Sequence, residues 1–389
     1  MENHYHYIIT GAGCAGLSLL MRMMDDPFFA NKKIAIVDAA QKNTNDRTWC
    51  FWEKEADIFE SIVHHQWTEL DFYSSNYSGQ LSIHPYVYKM IRGIDFYQFV
   101  IEKANNCSNI HWINASVLSI NNIPETNTAK VELSDRIIYA DKVFNSILFE
   151  PIKTTSKQFY FQQHFKGWMI KTDQPSFNPA KATFMDFRVS QDKGTTFMYV
   201  LPTSSTQALI EYTLFTEELL KQDEYDKALK LYITEYLHIN EYKIEHEEYG
   251  IIPMTNTKFK SNEASIIYIG IAGGQAKASS GYAFKFIQKR TANIVEALRL
   301  NKSIPSNKSF NNVKGLLYDS VLLHVLHFKK LRGEEIFADI FKNNKAVDVM
   351  QFLDNESSLF TDLKIMHSVP TSIFLPAALR ELFVSAVNK

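Results

Sequence analysis

The residues with the plainest chemical meaning lie early in the chain: Gly11-Ala12-Gly13-Cys14-Ala15-Gly16, and then Asp38. An apolar run, Tyr7 to Thr10, leads into the glycines. A helical pattern follows, and a second apolar run, Ile34 to Val37, ends at Asp38. This is the spacing of a βαβ dinucleotide-binding unit. Gly11 permits the tight strand-to-helix turn, Gly13 lets the backbone approach a pyrophosphate, and Gly16 lets the helix pack close to the strand. The helix N-terminus presents free N–H groups and a positive dipole end to phosphate. Asp38 lies 22 residues after Gly16, where an acid accepts a bond from a ribose hydroxyl. This unit alone leaves FAD and NAD both open as ligand.

A second glycine cluster, Gly270, Gly273 and Gly274, follows the apolar run that starts at Ile266. Ser279-Ser280-Gly281-Tyr282 comes next, and a helix is expected from about Ser280 to Leu300. A second helix N-terminus is thereby aimed at a nucleotide. Glycine-containing turns at both ends of the chain point to FAD more than to NAD alone. The alternative is a glycine-rich turn packed on the sheet.

A carboxylate supplies a third candidate. Glu211 sits in the strand-like run Ala208 to Phe215, where alternation puts Leu209, Glu211 and Thr213 on one face and Ile210, Tyr212 and Leu214 on the other. If the first face meets an apolar ligand, Glu211 is desolvated and its pKa rises, so that it keeps a proton near neutral pH. A protonated carboxyl is what an alkene-protonating enzyme needs. If that face meets solvent, Glu211 is an ordinary strand residue.

The surrounding elements follow from pattern. A polar loop (39–47) leads to Thr48-Trp49-Cys50-Phe51-Trp52, and residues 57–90 alternate as strands do. Phe96 to Asn106 reads as a helix, and strands are expected near 111–119, 129–133 and 142–146. Residues 156–215 hold consecutive strand-like runs separated by turns, which predicts an inserted antiparallel sheet. The segment 217–238 reads as a helix with Leu219, Leu220, Tyr225, Leu229 and Tyr232 on one side, and Tyr249 to Met254 as a strand. Pro305 marks a linker, and the last 80 or so residues read as mostly helical. The expected fold class is α/β. It comprises a Rossmann-like FAD-binding domain of the glutathione-reductase/hydroxylase type, an inserted antiparallel substrate sheet and a helical C-terminal tail. The expected division is residues 1–300, with substrate-domain segments at about 65–95 and 155–245, and a helical region at 301–389.

Composition narrows the class. The chain has 389 residues, 46% hydrophobic, with a net charge of −2, so it is long enough for a large core and gives no sign of a nucleic-acid partner. Three cysteines, Cys14, Cys50 and Cys107, do not make a disulfide framework and suit a reduced cytoplasmic setting. No signal peptide is evident, and no stretch of about 18 apolar residues is present to span a bilayer. The 28 Phe and 19 Tyr residues fit either an aromatic core or a long apolar pocket.

Other candidates carry two readings each. Asp186 and Arg188 either pair structurally or act near a pocket. Arg47 and Arg92 either reach flavin phosphates or form salt bridges. His64-His65, and His324 with His327, lack a companion Cys or acid at ligand spacing, which favours surface or packing roles over a metal site.

In this order the segments resemble the flavin-dependent lycopene cyclases of carotenoid biosynthesis. The stretch 197–213, FMYVLPTSSTQALIEYT, is similar to that family's strand, Pro-x-Ser-Ser turn and Phe-Leu-Glu-Glu-Thr motif. Met185-Asp186-Phe187-Arg188 resembles Met-Asp-Trp-Arg, and residues 250–254 (GIIPM) resemble Val-Ile-Pro-Met. Gly274 with 279–282 resembles Ala-Gly … Ser-Thr-Gly-Tyr, and 48–53 (TWCFWE) resembles Thr-Trp-Ser-Phe of bacterial members. The matches keep their order over about residues 5–300. Three positions depart: the double glutamate is Glu211-Tyr212, the family's Pro is Ala278, and Ile271 stands where related hydroxylases carry an Asp. A role for a second adjacent carboxylate therefore does not carry over.

The resemblance implies a lycopene β-cyclase that closes the ends of lycopene into β-ionone rings without net redox change, with Glu211 as the acid. It also implies reduced FAD at Gly11, Gly13, Gly16, Asp38, Gly273 and Gly274, NAD(P)H as reductant, and no metal. The long polyene substrate implies a cytoplasmic protein docked on the inner face of the membrane. The Leu/Phe-rich tail (Leu316-Leu317-Tyr318, Leu322-Leu323) is then either the docking surface or a helical cap. The alternatives are an FAD-dependent hydroxylase or polyprenyl reductase using NAD(P)H, and a non-catalytic flavin-binding membrane-associated protein.

Overall fold

The first strand runs into the glycine turn and then into a helix, and the second strand returns parallel beside it, as the spacing requires. The computed structural model describes residues 3–260, 262–306 and 310–387. Up to the middle of the chain its elements are β1 (His4–Thr10), α1 (Cys14–Asp25), β2 (Ile34–Asp38), β3 (Thr48–Glu53), β4 (His65–Trp67), β5 (Glu69–Tyr73), β6 (Ser78–Ser82), β7 (Val87–Arg92), α2 (Gly93–Asn105), β8 (Ile110–Asn114), β9 (Val117–Ile123), β10 (Thr128–Leu133) and β11 (Ile137–Asn145). The remainder comprises β12 (Tyr160–Lys171), β13 (Lys181–Asp186), β14 (Thr195–Pro202), β15 (Gln207–Thr216), α3 (Gln222–Glu235), β16 (Lys243–Thr255), β17 (Ile266–Tyr268), α4 (Phe284–Arg299), α5 (Phe310–His327), α6 (Gly333–Asn343), α7 (Ala346–Leu353), α8 (Leu359–His367) and α9 (Thr371–Val387).

The nucleotide-type sheet has the order β8-β2-β1-β11-β10-β9, with β17 against the C-terminal half of β11. Pairing is parallel through β8, β2, β1, β11 and β17, and antiparallel only in β9 and β10. Leu17 and Leu20 of α1 share one core with Ile287 and Ile294 of α4 and with Ile9 and Ile36 of the sheet. Gln288 Nε2 donates to Ser18 Oγ at 2.8 Å, tying α4 to α1.

The second sheet runs β16-β12-β15-β14-β13-β5-β6. One face, with Trp168, Met198, Ile210, Tyr212 and Leu214, buries Tyr225, Leu229 and Tyr232 of α3. The other, with Phe184, Phe197, Tyr199 and Leu209, packs on Trp52 and Tyr88 of a small β3-β7-β4 sheet and on Leu323, Phe337 and Met350 of the C-terminal helices. These two faces are the ones that the alternation about Glu211 separates.

The structure departs from pattern in five places, one being β16, which starts at Lys243 where a strand is expected only from Tyr249. The strand expected at 111–119 is two strands on opposite sides of the sheet, β8 beside β2 and β9 beside β10, because the chain turns at Ala115-Ser116. The inserted sheet is not wholly antiparallel. β5 and β6 come from early in the chain, and β5 joins β13 in parallel, Leu70 opposite Ala182. Leu219 precedes α3 and is exposed. Finally, α4 begins at Phe284, not near Ser280. The amides of Ser280 and Gly281 both turn back to the carbonyl of Lys277, and Gly281 has φ +69°, a left-handed conformation that a helix cannot continue.

Candidate functional site

At the first glycine turn each glycine has its own reason. Gly11 has φ +91°, and a Cβ there would lie 2.2 Å from Ser146 Oγ. A Cβ on Gly16 would lie 2.0 Å from the Gly11 carbonyl oxygen, so α1 sits as close to β1 as a backbone allows. A Cβ on Gly13 would meet nothing within 4 Å, which leaves that side of the α1 N-terminus open to a ligand. Asp38, at the end of β2, accepts from the Ala12 amide at 2.6 Å and the Ala40 amide at 2.7 Å, and Lys42 Nζ lies 3.3 Å away. The acid thus stands against the glycine turn.

The second cluster folds onto the first. Gly270 to Gly273 form one helical turn after β17. A Cβ on Gly270 would lie 3.0 Å from Ala15 Cβ and 3.6 Å from Ser146 Cβ. Gly273 packs so closely that a Cβ would meet the Tyr268 carbonyl oxygen at 2.5 Å, and Gly274 has φ +72°. Gly11, Gly16 and Gly270 therefore converge around Ala15 and Ser146, although more than 250 residues separate the two clusters in sequence.

The remaining sequence candidates divide. Arg92 binds Asp95 through two nitrogens at 2.7 Å, and Arg47 binds Asp46 at 2.8 Å. Arg47 alone lies within electrostatic range of Cys14, the first residue of α1, whose thiol burial pushes up to about 12. Asp186 is fully buried. It receives the Arg188 guanidinium and the Tyr232 hydroxyl (2.7 Å), on the α3 side of the second sheet, away from Glu211. His65 Nε2 contacts the Pro179 carbonyl at 2.7 Å. His324 meets Glu381 at 2.8 Å, and His327 meets Glu217 at 2.6 Å.

Glu211 belongs to a row that crosses four strands. Register places it opposite Tyr199 of β14 and Gly167 of β12, and Gly167 is in turn opposite Glu248 of β16. Tyr199, Glu211, Gly167 and Glu248 thus share one face. Gly167 contributes no side chain, and a Cβ there would sit 3.0 Å from Glu248 Cγ and 3.4 Å from Glu248 Oε1. Glu248 leans over the glycine, on the face that carries Glu211, and the two carboxyls interact electrostatically. Thr213 Oγ1 donates to Glu211 Oε1 at 2.6 Å, and Thr48 Oγ1 donates to Glu248 Oε2 at 2.7 Å. Burial raises both carboxyls far above the usual range, and at Glu211 the charge of Glu248 adds to it.

Aromatic side chains surround the pair. Tyr282 Oη lies 3.4 Å from Tyr88 Oη and 3.3 Å from Tyr199 Oη. Trp52 meets the Tyr282 ring edge-on at 4.7 Å, and Phe184 lies parallel to it at 6.5 Å. Burial holds all three phenols, and the Cys50 thiol, in their neutral forms. Tyr282 belongs to the segment that follows the second glycine cluster, and Arg47 lies within electrostatic range of both Cys14 and Glu248. The segment after the second glycine cluster thus reaches the face that carries Glu211 through Tyr282.

The fold and the glycine turns define a protein of the FAD-dependent oxidoreductase and monooxygenase fold class. Solved structures of this class overlay nearly the whole chain. One is a geranylgeranyl bacteriochlorophyll reductase-like protein from Thermoplasma acidophilum, with TM-score 0.58, 12% identity, and 98% of this chain and 96% of that chain covered. Another is PqsL, a probable FAD-dependent monooxygenase from Pseudomonas aeruginosa, with TM-score 0.57, 12% identity, and 87% and 100% covered. A flavoprotein/dehydrogenase from Cytophaga hutchinsonii matches with TM-score 0.56, 12% identity, and 98% and 100% covered. The sequence profile of the lycopene cyclase protein family matches residues 7–378, and the chain belongs to that family.

Proposed function

We propose that the chain is a lycopene β-cyclase that converts the acyclic ends of lycopene to β-ionone rings, giving γ-carotene and then β-carotene, by acid catalysis without net redox change. The observation that carries this reading is Glu211: a carboxyl on an aromatic-lined face, held neutral by burial and by a second carboxyl beside it. Thr213 occupies Oε1, which leaves Oε2 to carry the proton. Glu211 protonates the terminal double bond of the polyene, the neighbouring alkene attacks the resulting cation to close the ring, and loss of a ring proton sets the ring double bond. The faces of Tyr199, Tyr282, Trp52 and Phe184 suit a transient cation, since aromatic faces attract positive charge.

The glycine turns fit a flavin. The open side of Gly13, the α1 N-terminus and Asp38 suit pyrophosphate and ribose, with the Gly270–Gly273 turn packed against α1 through Gly270 and Ala15. Bound FAD, kept reduced by NAD(P)H, supplies negative charge that stabilises a nearby cation. No helix among the described residues is long and apolar enough to cross a membrane. Of the docking candidates in α5, Leu323 is buried and Leu316 is exposed; Leu359, Phe360 and Leu363 of α8 and Leu375, Leu379, Leu382 and Phe383 of α9 are all exposed. The reading therefore places bilayer contact on α8 and α9.

The test is turnover of lycopene by the purified protein with FAD under reducing, anaerobic conditions. The reading expects Glu211→Gln to lose cyclisation. Conversion at the normal rate removes Glu211 from the acid role.

A further inference from the structure

Of the two carboxyls on this face, Glu248 is the more buried, at 4% exposure, and its Oε1 has no hydrogen-bond partner among the described residues. An unpartnered buried carboxylate oxygen beside a second carboxyl is costly unless a proton lies between them. The arrangement depends on two local features. Gly167 opens the gap in β12, since any Cβ there would press on Glu248 Cγ. Thr48, arriving from β3, fixes Oε2 and so points Oε1 toward Glu211.

Resting on the cyclase reading above, we propose that Glu248 is a positioning residue for the acid: it shares a single proton with Glu211 across the gap at Gly167. Tyr212, the residue after Glu211, faces α3. Glu248 supplies a carboxylate from a different strand instead. In each turnover a C–H bond forms at the terminal double bond at the expense of the Glu211 O–H bond. A C–C bond closes the ring, and the C–H bond that breaks on the ring returns its proton to the pair. The pair is regenerated and no electrons are consumed.

Like-charge proximity keeps one member of such a pair protonated, because two ionised carboxylates at this separation repel. The groups facing the pair do not relieve that repulsion. Tyr199 of β14, Tyr88 of β7, Cys50 of β3 and Tyr282 are neutral, Thr213 and Thr48 donate one bond each, and the charges of Asp46 and Arg47 oppose one another.

The experiment is the pH profile of kcat/KM for lycopene in vesicles with reduced FAD, comparing the wild type with Glu248→Gln and Gly167→Ala. A neutral amide at position 248 removes the like charge and donates to the Glu211 carboxylate, so Glu211 loses its proton more easily. The alkaline limb is expected to move down by about a pH unit or more in Glu248→Gln, and in the same direction in Gly167→Ala, with KM little changed. A limb that stays at the wild-type position in the folded variants overturns the proposal. If Glu248→Gln does not fold, Gly167→Ala decides alone. If neither folds, a pH titration of the carboxyl infrared band in the wild type decides. A group titrating above the usual carboxyl range that disappears in Glu211→Gln supports the shared proton, and the absence of such a group overturns it. Full activity in Glu211→Gln defeats the cyclase acid itself, whereas an inactive Glu211→Gln with an unmoved limb in Glu248→Gln defeats only the shared proton.

Discussion

Glu211 and Glu248 lie on one face of β15 and β16, separated by Gly167 of the intervening strand, whose missing side chain leaves space that Glu248 and Leu209 lean into. The pair lies on the face of the second sheet that meets the C-terminal helices and the β3-β7-β4 sheet.

A raised carboxyl pKa has a consequence for stability as well as for chemistry. A carboxyl whose folded pKa lies above its unfolded value favours the fold below the unfolded pKa, and that contribution is lost as pH rises through the folded pKa. Burial raises Glu211 in this way, with Glu248 adding to the shift. Glu211→Gln should therefore abolish ring formation yet hold its melting temperature better than the wild type as pH rises from mildly acidic to about 8. Thermal unfolding across that range checks it. Equal losses in both proteins would mean that Glu211 is not desolvated.

Gly16 and Gly13 of the first turn make different predictions. Gly16→Ala drives a methyl into the Gly11 carbonyl, a contact of 2.0 Å with backbone that cannot move aside. A loss of about 1–3 kcal/mol or more is expected, with flavin retention falling alongside. Gly13→Ala meets no protein atom within 4 Å. It should leave stability within about 0.5 kcal/mol and lower flavin affinity alone. Paired melting curves and flavin titrations distinguish the two; a Gly13→Ala protein with unchanged flavin affinity would place the pyrophosphate elsewhere.

Much of this was legible in the sequence, for physical reasons that particular residues show. The βαβ unit carries its own punctuation in Gly11, Gly13, Gly16 and Asp38. The alternation about Glu211 reports its face because both sides of β15 are buried in distinct cores. Glu248 was not legible. Its strand begins with the mostly charged run Lys243, Ile244, Glu245, His246 and Glu247, whereas the strand expected from the sequence starts only at Tyr249. β16 lies at the edge of its sheet, where charged side chains are ordinary and the hydrophobic alternation fades. Gly167 was equally silent, since only register puts it between two carboxyls. The polar and glycine content of 243–250 beside an apolar strand was the one available signal.

Asp186 tests the separation between packing and chemistry. Removing its carboxylate leaves the buried Tyr232 hydroxyl without its acceptor and frees Arg188. Asp186→Ala should cost about 1–3 kcal/mol and lower the yield of folded protein, while the kcat of the folded fraction stays near that of wild type. A fall in kcat with unchanged melting temperature would move Asp186 into the reacting site.

Bilayer contact through α8 and α9 predicts a separation between binding and chemistry. Phe360 is 80% exposed and Phe383 is 70% exposed. Replacing both with Ser should weaken co-sedimentation with phospholipid vesicles and raise KM for vesicle-borne lycopene, with kcat in detergent preserved. Unchanged vesicle binding would assign these helices to another contact.

The central claim is that the protein closes a ring by moving protons and not electrons. The direct measurement is anaerobic conversion of lycopene in D2O with reduced FAD, counting NAD(P)H oxidised and deuterium gained per ring. The account predicts a cyclic product carrying one solvent-derived deuterium per ring, with no stoichiometric NAD(P)H consumption. An acyclic reduced or hydroxylated product formed with one NAD(P)H consumed per turnover would contradict it.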